Sequence, residues 1–239
     1  MITRADIQLV RSLADKRART ETGLFVAEGA KLVGEIAASS LRVRHIYSSR
    51  EFAHPAFEPA SAKELERLSL LKTPSDTVAV VEIPRHRFDL TVAERGLVLA
   101  MDEVQNPGNM GTIIRTAEGL GIKNIVLLGD CVDVYNPKTV RATMGSIFRV
   151  KPVKMDFDDL RAWADDHGMK IYATALSDKA TDIREVNLSN AVAIIGNEAR
   201  GVCEEVLNGS DGHIIIPIKS AQSFNASIAA AIVLWEMAR

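Results

Sequence analysis

The sequence predicts an α/β protein whose second half is a mostly parallel sheet with helices on both faces. Three observations lead there. From residue 96 onward, short apolar runs of strand character alternate with longer helical stretches, the pattern of strand–helix–strand units. The run that opens this half, Gly96-Leu97-Val98-Leu99-Ala100-Met101, shows no polar alternation, as suits a strand buried on both faces. The chain also has the material for a core: 239 residues, 47% hydrophobic and 25% charged, the balance of a folded protein and not of a disordered one.

The elements follow in order. Ile7, Leu9, Val10 and Leu13 make a helical stripe within residues 2–16. Leu24-Phe25-Val26 has strand character, and a helical stretch through Leu32, Val33 and Ile36 follows Gly29. Residues 43–47 read as a strand, 62–70 as a charged amphipathic helix, and Val78-Ala79-Val80-Val81 as a buried strand. Residues 84–95 start with proline, are polar and basic and lack apolar periodicity, so they read as a linker. This divides the chain into residues 1–83, a linker over 84–95, and residues 96–239. In the last part the expected strands after the first are 124–128, 170–174, 191–196 and 213–217. The expected helices are 109–120, 157–167, 202–207 and 223–239.

Composition excludes several classes. The longest apolar stretch, residues 226–235, is about half the ~20 residues a membrane helix needs. The first residues carry charge and no apolar signal core, so a cytoplasmic protein without a membrane partner is expected. Cys131 and Cys203 are too far apart for a zinc motif or a disulfide framework and read as small buried thiols. The five histidines are scattered and read as structural or surface residues, and no metal site is expected. The net charge of −2 hides an asymmetry: residues 1–95 hold 15 Lys+Arg against 13 Asp+Glu, and residues 96–239 hold 14 against 18. A basic front suits a phosphate-bearing partner, although charge runs also arise as plain solvated faces.

Three segments carry residues suited to chemistry, each placed after an expected strand, where ligands bind in parallel sheets. The first runs from Asp102 to Arg115. A Pro-Gly turn precedes a helix that starts near Asn109, and Asn is a good N-cap. Arg115, six positions on, suits phosphate binding or a surface ion pair. The second is Gly196-Asn197-Glu198-Ala199-Arg200-Gly201. Its glycines permit a sharp turn and close backbone approach, and Glu198 serves either chemistry or the turn. The third runs from Ile216 to Ser227 and leads into a last helix that is apolar on nearly all sides. Such a helix lies deep in a core or at a subunit interface, and the interface is the favoured reading. No dinucleotide fingerprint, P-loop, zincin motif or nucleophile elbow is present.

Taken together, Asn106-Pro107-Gly108-Asn109 with Arg115, Gly196-Asn197-Glu198-x-x-Gly201, and Ile216-Pro217 with Ser223-Phe224-Asn225 resemble the three ordered motifs of the SpoU/TrmH family. These are RNA ribose 2′-O-methyltransferases of the SPOUT superfamily. The likeness spans residues 96–239. Phe224 stands where the family often has Leu, and no glycine lies between Pro217 and Ser223. Residues 24–31 and 73–80 resemble the small L30e-like RNA-binding domain that many members carry, which fits residues 1–83.

The resemblance implies methyl transfer from S-adenosylmethionine (AdoMet) to a ribose 2′-hydroxyl of structured RNA. Large-subunit (23S) ribosomal RNA is the first expectation, with transfer RNA, a non-catalytic RNA-binding relative and a small-molecule enzyme as the alternatives. It implies a C-terminal trefoil knot and a homodimer through the C-terminal domain. It places Asn109, Arg115, Glu198, Ser223 and Asn225 at catalytic positions. It places Thr174, Ala175, Leu176, Gly196, Asn197, Gly201, Ile216, Ile218 and Phe224 around AdoMet. The family often describes this Arg as a general base. A guanidinium gives up its proton only with difficulty, so Arg115 is expected to clamp a phosphate beside the target ribose. Arg4, Arg11, Lys16, Arg17, Arg19, Lys31, Arg42 and Arg44 are the expected RNA phosphate contacts.

Overall fold

The structure, a computed structural model, describes residues 2–84, 96–220 and 222–239. The expected linker therefore lies outside the described residues, Pro84 excepted. In chain order the elements are α1 (Arg4–Ser12), α2 (Lys16–Thr22), β1 (Leu24–Glu28), α3 (Ala30–Ala37), β2 (Val43–Ser48), β3 (Phe57–Pro59), α4 (Ala62–Leu68) and β4 (Thr77–Glu82). Then come β5 (Leu97–Asp102), α5 (Pro107–Gly119), β6 (Asn124–Leu128), α6 (Pro137–Ala142), β7 (Lys151–Lys154), α7 (Phe157–Asp166), β8 (Lys170–Thr174), β9 (Thr181–Asp182), β10 (Ala191–Ile195), α8 (Glu204–Gly209), β11 (Gly212–Ile215) and α9 (Ala226–Ala238). They form two compact units, Met1–Arg85 with Asp133–Phe148, and His86–Val132 with Arg149–Arg239.

The first unit is a four-stranded sheet in the order β1-β4-β2-β3, with β4 antiparallel to both its neighbours. The helix expected over residues 2–16 is α1, which ends at Ser12, and a second helix, α2, starts at Lys16. Thr3 and Asp6 close a capping box on α1, and the Asp15 side chain accepts from Arg17 N to start α2. Each cap satisfies an N–H that a helix start leaves unpaired, so Asp15 starts a new helix where the expected one ends. Val10, Leu13, Leu65 and Leu68 pack with Val26, Tyr47, Val78 and Val80 into one core.

The stretch Asp133–Phe148, including α6, also belongs to this unit, which nothing in the sequence announced. Phe25 meets Tyr135 and Phe148 with ring centroids 5.0 and 6.2 Å apart. Arg19 is 2% exposed. Its Nη2 lies 2.6 Å from Asp133 Oδ2, and Nη1 donates to the carbonyls of Leu13 at 2.8 Å and Ala14 at 3.0 Å. This corrects the expectation that Arg19 contacts RNA phosphate, because its donors are spent inside the unit. Removing one partner of a buried ion pair leaves an uncompensated charge and costs about 3–5 kcal/mol. Arg19→Ala is expected to lower Tm in calorimetry, and Arg19→Met with Asp133→Leu to recover much of the loss. An unchanged Tm for Arg19→Ala would refute the staple.

The second unit is a seven-stranded sheet in the order β7-β6-β5-β10-β8-β11-β9, with every neighbouring pair parallel. Its central strands β5 and β10 are buried throughout. β7 and β9 were not anticipated; both are edge strands, and β7 carries Pro152, which an edge tolerates. Val98, Ala100, Val126, Val192 and Ile194 pack with Leu160 and Ala164 of α7 and Val206 of α8. α9 packs against α5 and β10. Three helix starts differ from expectation, and of these α8 begins at Glu204 and not at residue 202. α5 begins at Pro107, because Asn106 is the cap and its Oδ1 accepts from Gly108 N and Asn109 N. Proline at the first helical position loses no hydrogen bond there. α9 begins at Ala226, with Asn225 as the cap, so Ser223 and Phe224 lie in the loop before it. Among the described residues no helix is long and apolar enough to cross a membrane.

Candidate active site

A parallel sheet brings the carboxyl ends of its strands to one edge, and the three motif segments follow β5, β10 and β11 there. Because Asn106 takes the capping role, the Asn109 side chain is left for other work. It is buried, and its Nδ2 donates to Glu198 Oε1 at 3.0 Å while its Oδ1 accepts from Asn225 Nδ2 at 3.1 Å. Asn225 Oδ1 in turn accepts from Ser227 Oγ at 2.6 Å and Ser227 N at 2.9 Å. The donors thus run in one direction, Ser227 to Asn225 to Asn109 to Glu198, and join segments more than a hundred residues apart.

Glu198 closes the chain. Besides Asn109 it accepts from Asn106 N at 2.9 Å on Oε1 and from Gln105 N at 3.2 Å on Oε2. Burial alone would raise its pKa, but the hydrogen bonds from Asn109 and the two backbone N–H groups outweigh that and hold the carboxyl below its ordinary value. A carboxylate stabilised this way is an anchor and a poor proton acceptor. Arg115 is exposed on α5 and has no ion pair among the described residues; the structure does not bring it into the chain, nor Ser223.

The loop Asn197–Gly201 is fixed independently. Asn197 and Gly201 exchange backbone hydrogen bonds at 2.9 Å in both directions. A Cβ on Gly196 would meet Val202 N at 2.1 Å, so only glycine fits where the loop folds back. Asn197 Nδ2 donates to the Glu103 carbonyl at 2.8 Å, and Arg200 Nη2 pairs with Glu103 Oε2 at 2.5 Å. Glu103 has φ 53°, a left-handed backbone that a non-glycine residue adopts at a cost. Asp102, buried at the end of β5, accepts from Cys203 N at 2.8 Å. Glu103, Arg200, Asp102 and Ser227 were missed from sequence. All four lie within the three segments read from the sequence, where nothing distinguished them from their neighbours.

Beside this chain lies a cavity of about 460 Å³. Thr174, Ala175 and Leu176 line it from the end of β8, Gly196, Asn197 and Gly201 from β10, and Ile216, Ile218, Ser223 and Phe224 from the segment after β11. All nine residues expected around a cofactor face this one space. The Thr174 hydroxyl is committed to the Ile194 carbonyl at 2.9 Å, so that segment offers the cavity its backbone. Leu176 and Phe224 are 68% and 39% exposed, apolar surface at the mouth. Burial pushes the Cys131 thiol up to about 11 and raises Cys203 as well, so neither is a nucleophile at neutral pH.

In the first unit the expected phosphate contacts other than Arg19 lie at the surface. Arg17 pairs with Glu21 at 2.7 Å, Arg44 with Glu82 at 2.7 Å and Arg42 with Glu82 at 3.9 Å. Arg11 Nε donates to the Arg67 carbonyl at 2.9 Å. Arg4, Lys16 and Lys31 are exposed.

Comparisons with known proteins bear on both units. The family model described as "SpoU rRNA Methylase family" matches residues 96–235, and that described as "MRM3-like substrate binding domain" matches residues 4–86. The chain is 33% identical over 240 residues to the 23S rRNA (guanosine(2553)-2′-O)-methyltransferase RlmP of Bacillus subtilis, covering 95% of this chain and 93% of that protein. It is 34% identical over 159 residues to the tRNA (guanosine(18)-2′-O)-methyltransferase of Escherichia coli, covering 66% of each. The crystal structure of an AdoMet-bound rRNA methyltransferase from Sinorhizobium meliloti superposes with a TM-score of 0.88 at 28% identity, over 99% of this chain and 95% of that one.

Proposed function

The chain belongs to the SpoU rRNA methylase family, and from that premise we propose that it methylates a ribose 2′-hydroxyl of large-subunit (23S) ribosomal RNA with AdoMet as donor. It is an AdoMet-dependent RNA 2′-O-methyltransferase. The observation that carries the reading is the chain of Asn225, Asn109 and Glu198, drawn from three separated motifs and set beside a ligand-sized cavity. Ribosomal RNA is favoured over transfer RNA by coverage. The 23S rRNA relative matches both units, whereas the tRNA relative matches 66% of the chain.

The residues present fit the cofactor. The cavity lies in the usual range for small ligands, about 300–1,000 Å³, and offers strand-end backbone groups with apolar walls from Leu176, Ile216, Ile218 and Phe224. When bound, AdoMet supplies an electrophilic methyl on its sulfonium. The 2′-oxygen must then be aligned and its developing charge stabilised. Asn109 and Asn225, locked by Glu198 and Ser227, present a fixed polar edge to the ribose. Arg115 clamps the neighbouring phosphate and stabilises the 2′-oxygen as the hydroxyl proton leaves to water. Ser223, at the mouth of the cavity, completes the ribose contacts. Arg4, Arg11, Lys16, Arg17, Lys31, Arg42 and Arg44 supply phosphate contacts on the front unit.

The test is methyl transfer from radiolabelled AdoMet to deproteinised total RNA, resolved by size. Label in the large ribosomal RNA supports the reading. Label in the transfer RNA band keeps the chemistry and overturns the substrate, and no label favours a non-catalytic RNA-binding relative.

We further propose a cytoplasmic homodimer with a C-terminal trefoil knot. Supporting the dimer, Ile228 and Trp235 on α9 are 51% and 61% exposed, one turn either side of the half-buried Ile232. Apolar residues at such spacing form a stripe suited to a second copy. Trp235→Asp is expected to halve the sedimenting mass; an unchanged mass refutes an interface through this face.

A further inference from the structure

The cavity that fits AdoMet has apolar walls, yet AdoMet carries an α-carboxylate at neutral pH. A carboxylate drawn toward low-dielectric walls needs a cation or donors. Among the described residues lining the cavity, Arg200 is the one permanent cation. The His213 ring is engaged through Nε2 with the Leu207 carbonyl at 3.0 Å. Glu198, also in the lining, is an anion that would repel a second carboxylate, which makes a counter-cation on this rim more necessary.

Arg200 is built for that task. Its backbone is fixed, because N donates to Asn197 Oδ1 at 3.1 Å inside the closed Asn197–Gly201 loop. Its side chain is 69% exposed at the rim. The guanidinium spends only Nη2, on Glu103 Oε2, so most of its five donors remain for a second, bidentate partner. Glu103 is itself held in place, with a left-handed backbone and a carbonyl that accepts from Asn197 Nδ2 at 2.8 Å. A carboxylate therefore already occupies one edge of the guanidinium.

We propose that Arg200 clamps the α-carboxylate of AdoMet and that Glu103 holds its guanidinium at the rim, competing for it until the cofactor arrives. The inference rests on the AdoMet reading above and adds a residue to it. It also makes a prediction of unusual sign. AdoMet bears a sulfonium and an ammonium against one carboxylate, a net +1. Long-range charge alone would let it bind tighter when a cation is removed, and weaker when an anion is removed. A direct clamp reverses both signs.

The experiment is calorimetric binding of AdoMet, S-adenosylhomocysteine and 5′-methylthioadenosine, which lacks the amino-acid tail, to the full chain and to Arg200→Ala, Arg200→Lys and Glu103→Gln. A charge-assisted hydrogen bond at a half-open rim is worth about a tenfold change in affinity. Arg200→Ala is expected to weaken AdoMet and S-adenosylhomocysteine about tenfold and to leave methylthioadenosine within about twofold. Arg200→Lys recovers part of the loss, and Glu103→Gln tightens AdoMet about threefold. If Arg200→Ala weakens all three ligands alike, the pair is only loop glue and the clamp is overturned. Unchanged AdoMet affinity in Arg200→Ala overturns it too, and if RNA affinity falls instead, the cation serves a phosphate. Failure of the unsubstituted chain to bind any of the three ligands would overturn the cofactor reading itself.

Discussion

Arg115→Ala is expected to abolish methyl transfer while leaving AdoMet binding within about twofold. The reasons are positional. Arg115 is exposed on α5, has no ion pair among the described residues and does not line the cofactor cavity. Its loss costs neither packing nor a cap, and alanine is the better helix former, so Tm should hold. On the reading proposed above, what disappears is the planar cation that would meet the phosphate and the developing oxyanion. Removing such a donor typically costs about 10²–10³ in rate, and arginines that stabilise transferring groups are worth about 10³–10⁵. Turnover in Arg115→Ala should fall by about 10³ or more in single-turnover assays with saturating AdoMet. Arg115→Lys separates charge from geometry, since it keeps the cation and loses the fork. Partial activity is expected, and full activity there would show that charge suffices. Undiminished turnover in Arg115→Ala would remove Arg115 from the mechanism altogether.

That prediction uses a residue legible from sequence, and the contrast with those that were not is instructive. Apolar runs announced β5, β6 and β10 because strands buried on both faces have no other way to be written. β7, β9 and β3 are short or at an edge, with too little apolar content to be seen. The register of α5 turned on which asparagine caps it. Asn106 and Asn109 are chemically equal, and only Pro107 between them, well placed at the first helical position, favours Asn106. That choice matters chemically, since the cap is what frees Asn109 for Glu198. Arg19 looked like its basic neighbours, and its burial depends on Asp133, over a hundred residues away, which no local pattern reveals. The glycines at 196 and 201 gave the turn, but not that Glu103 and Arg200 would meet across it.

Glu198 is the second residue whose loss should be large, for a different reason from Arg115. It accepts three hydrogen bonds, two from the backbone after β5 and one from Asn109. Glu198→Ala strands all three donors and is expected to cut turnover by about 10² or more, because groups preorganised for the transition state lose their frame. Glu198→Gln is the sharper probe. The amide oxygen can take over Oε1's two donors, but the amide nitrogen then faces Gln105 N–H, donor against donor. A lowered Tm and a slower reaction are both expected from that near-isosteric change. The pH dependence supplies the check. The folded carboxyl titrates below its ordinary value, so its contribution is fully present above the unfolded pKa of about 4.3 and is lost as pH falls through the folded pKa. The Tm gap between the unsubstituted chain and Glu198→Gln should therefore be constant near neutrality and close as the solution is acidified past the carboxylate range. A gap that stays constant to the acid limit would mean that Glu198 acts through shape and not through its charge, and the anchoring role drawn from its three donors would fail.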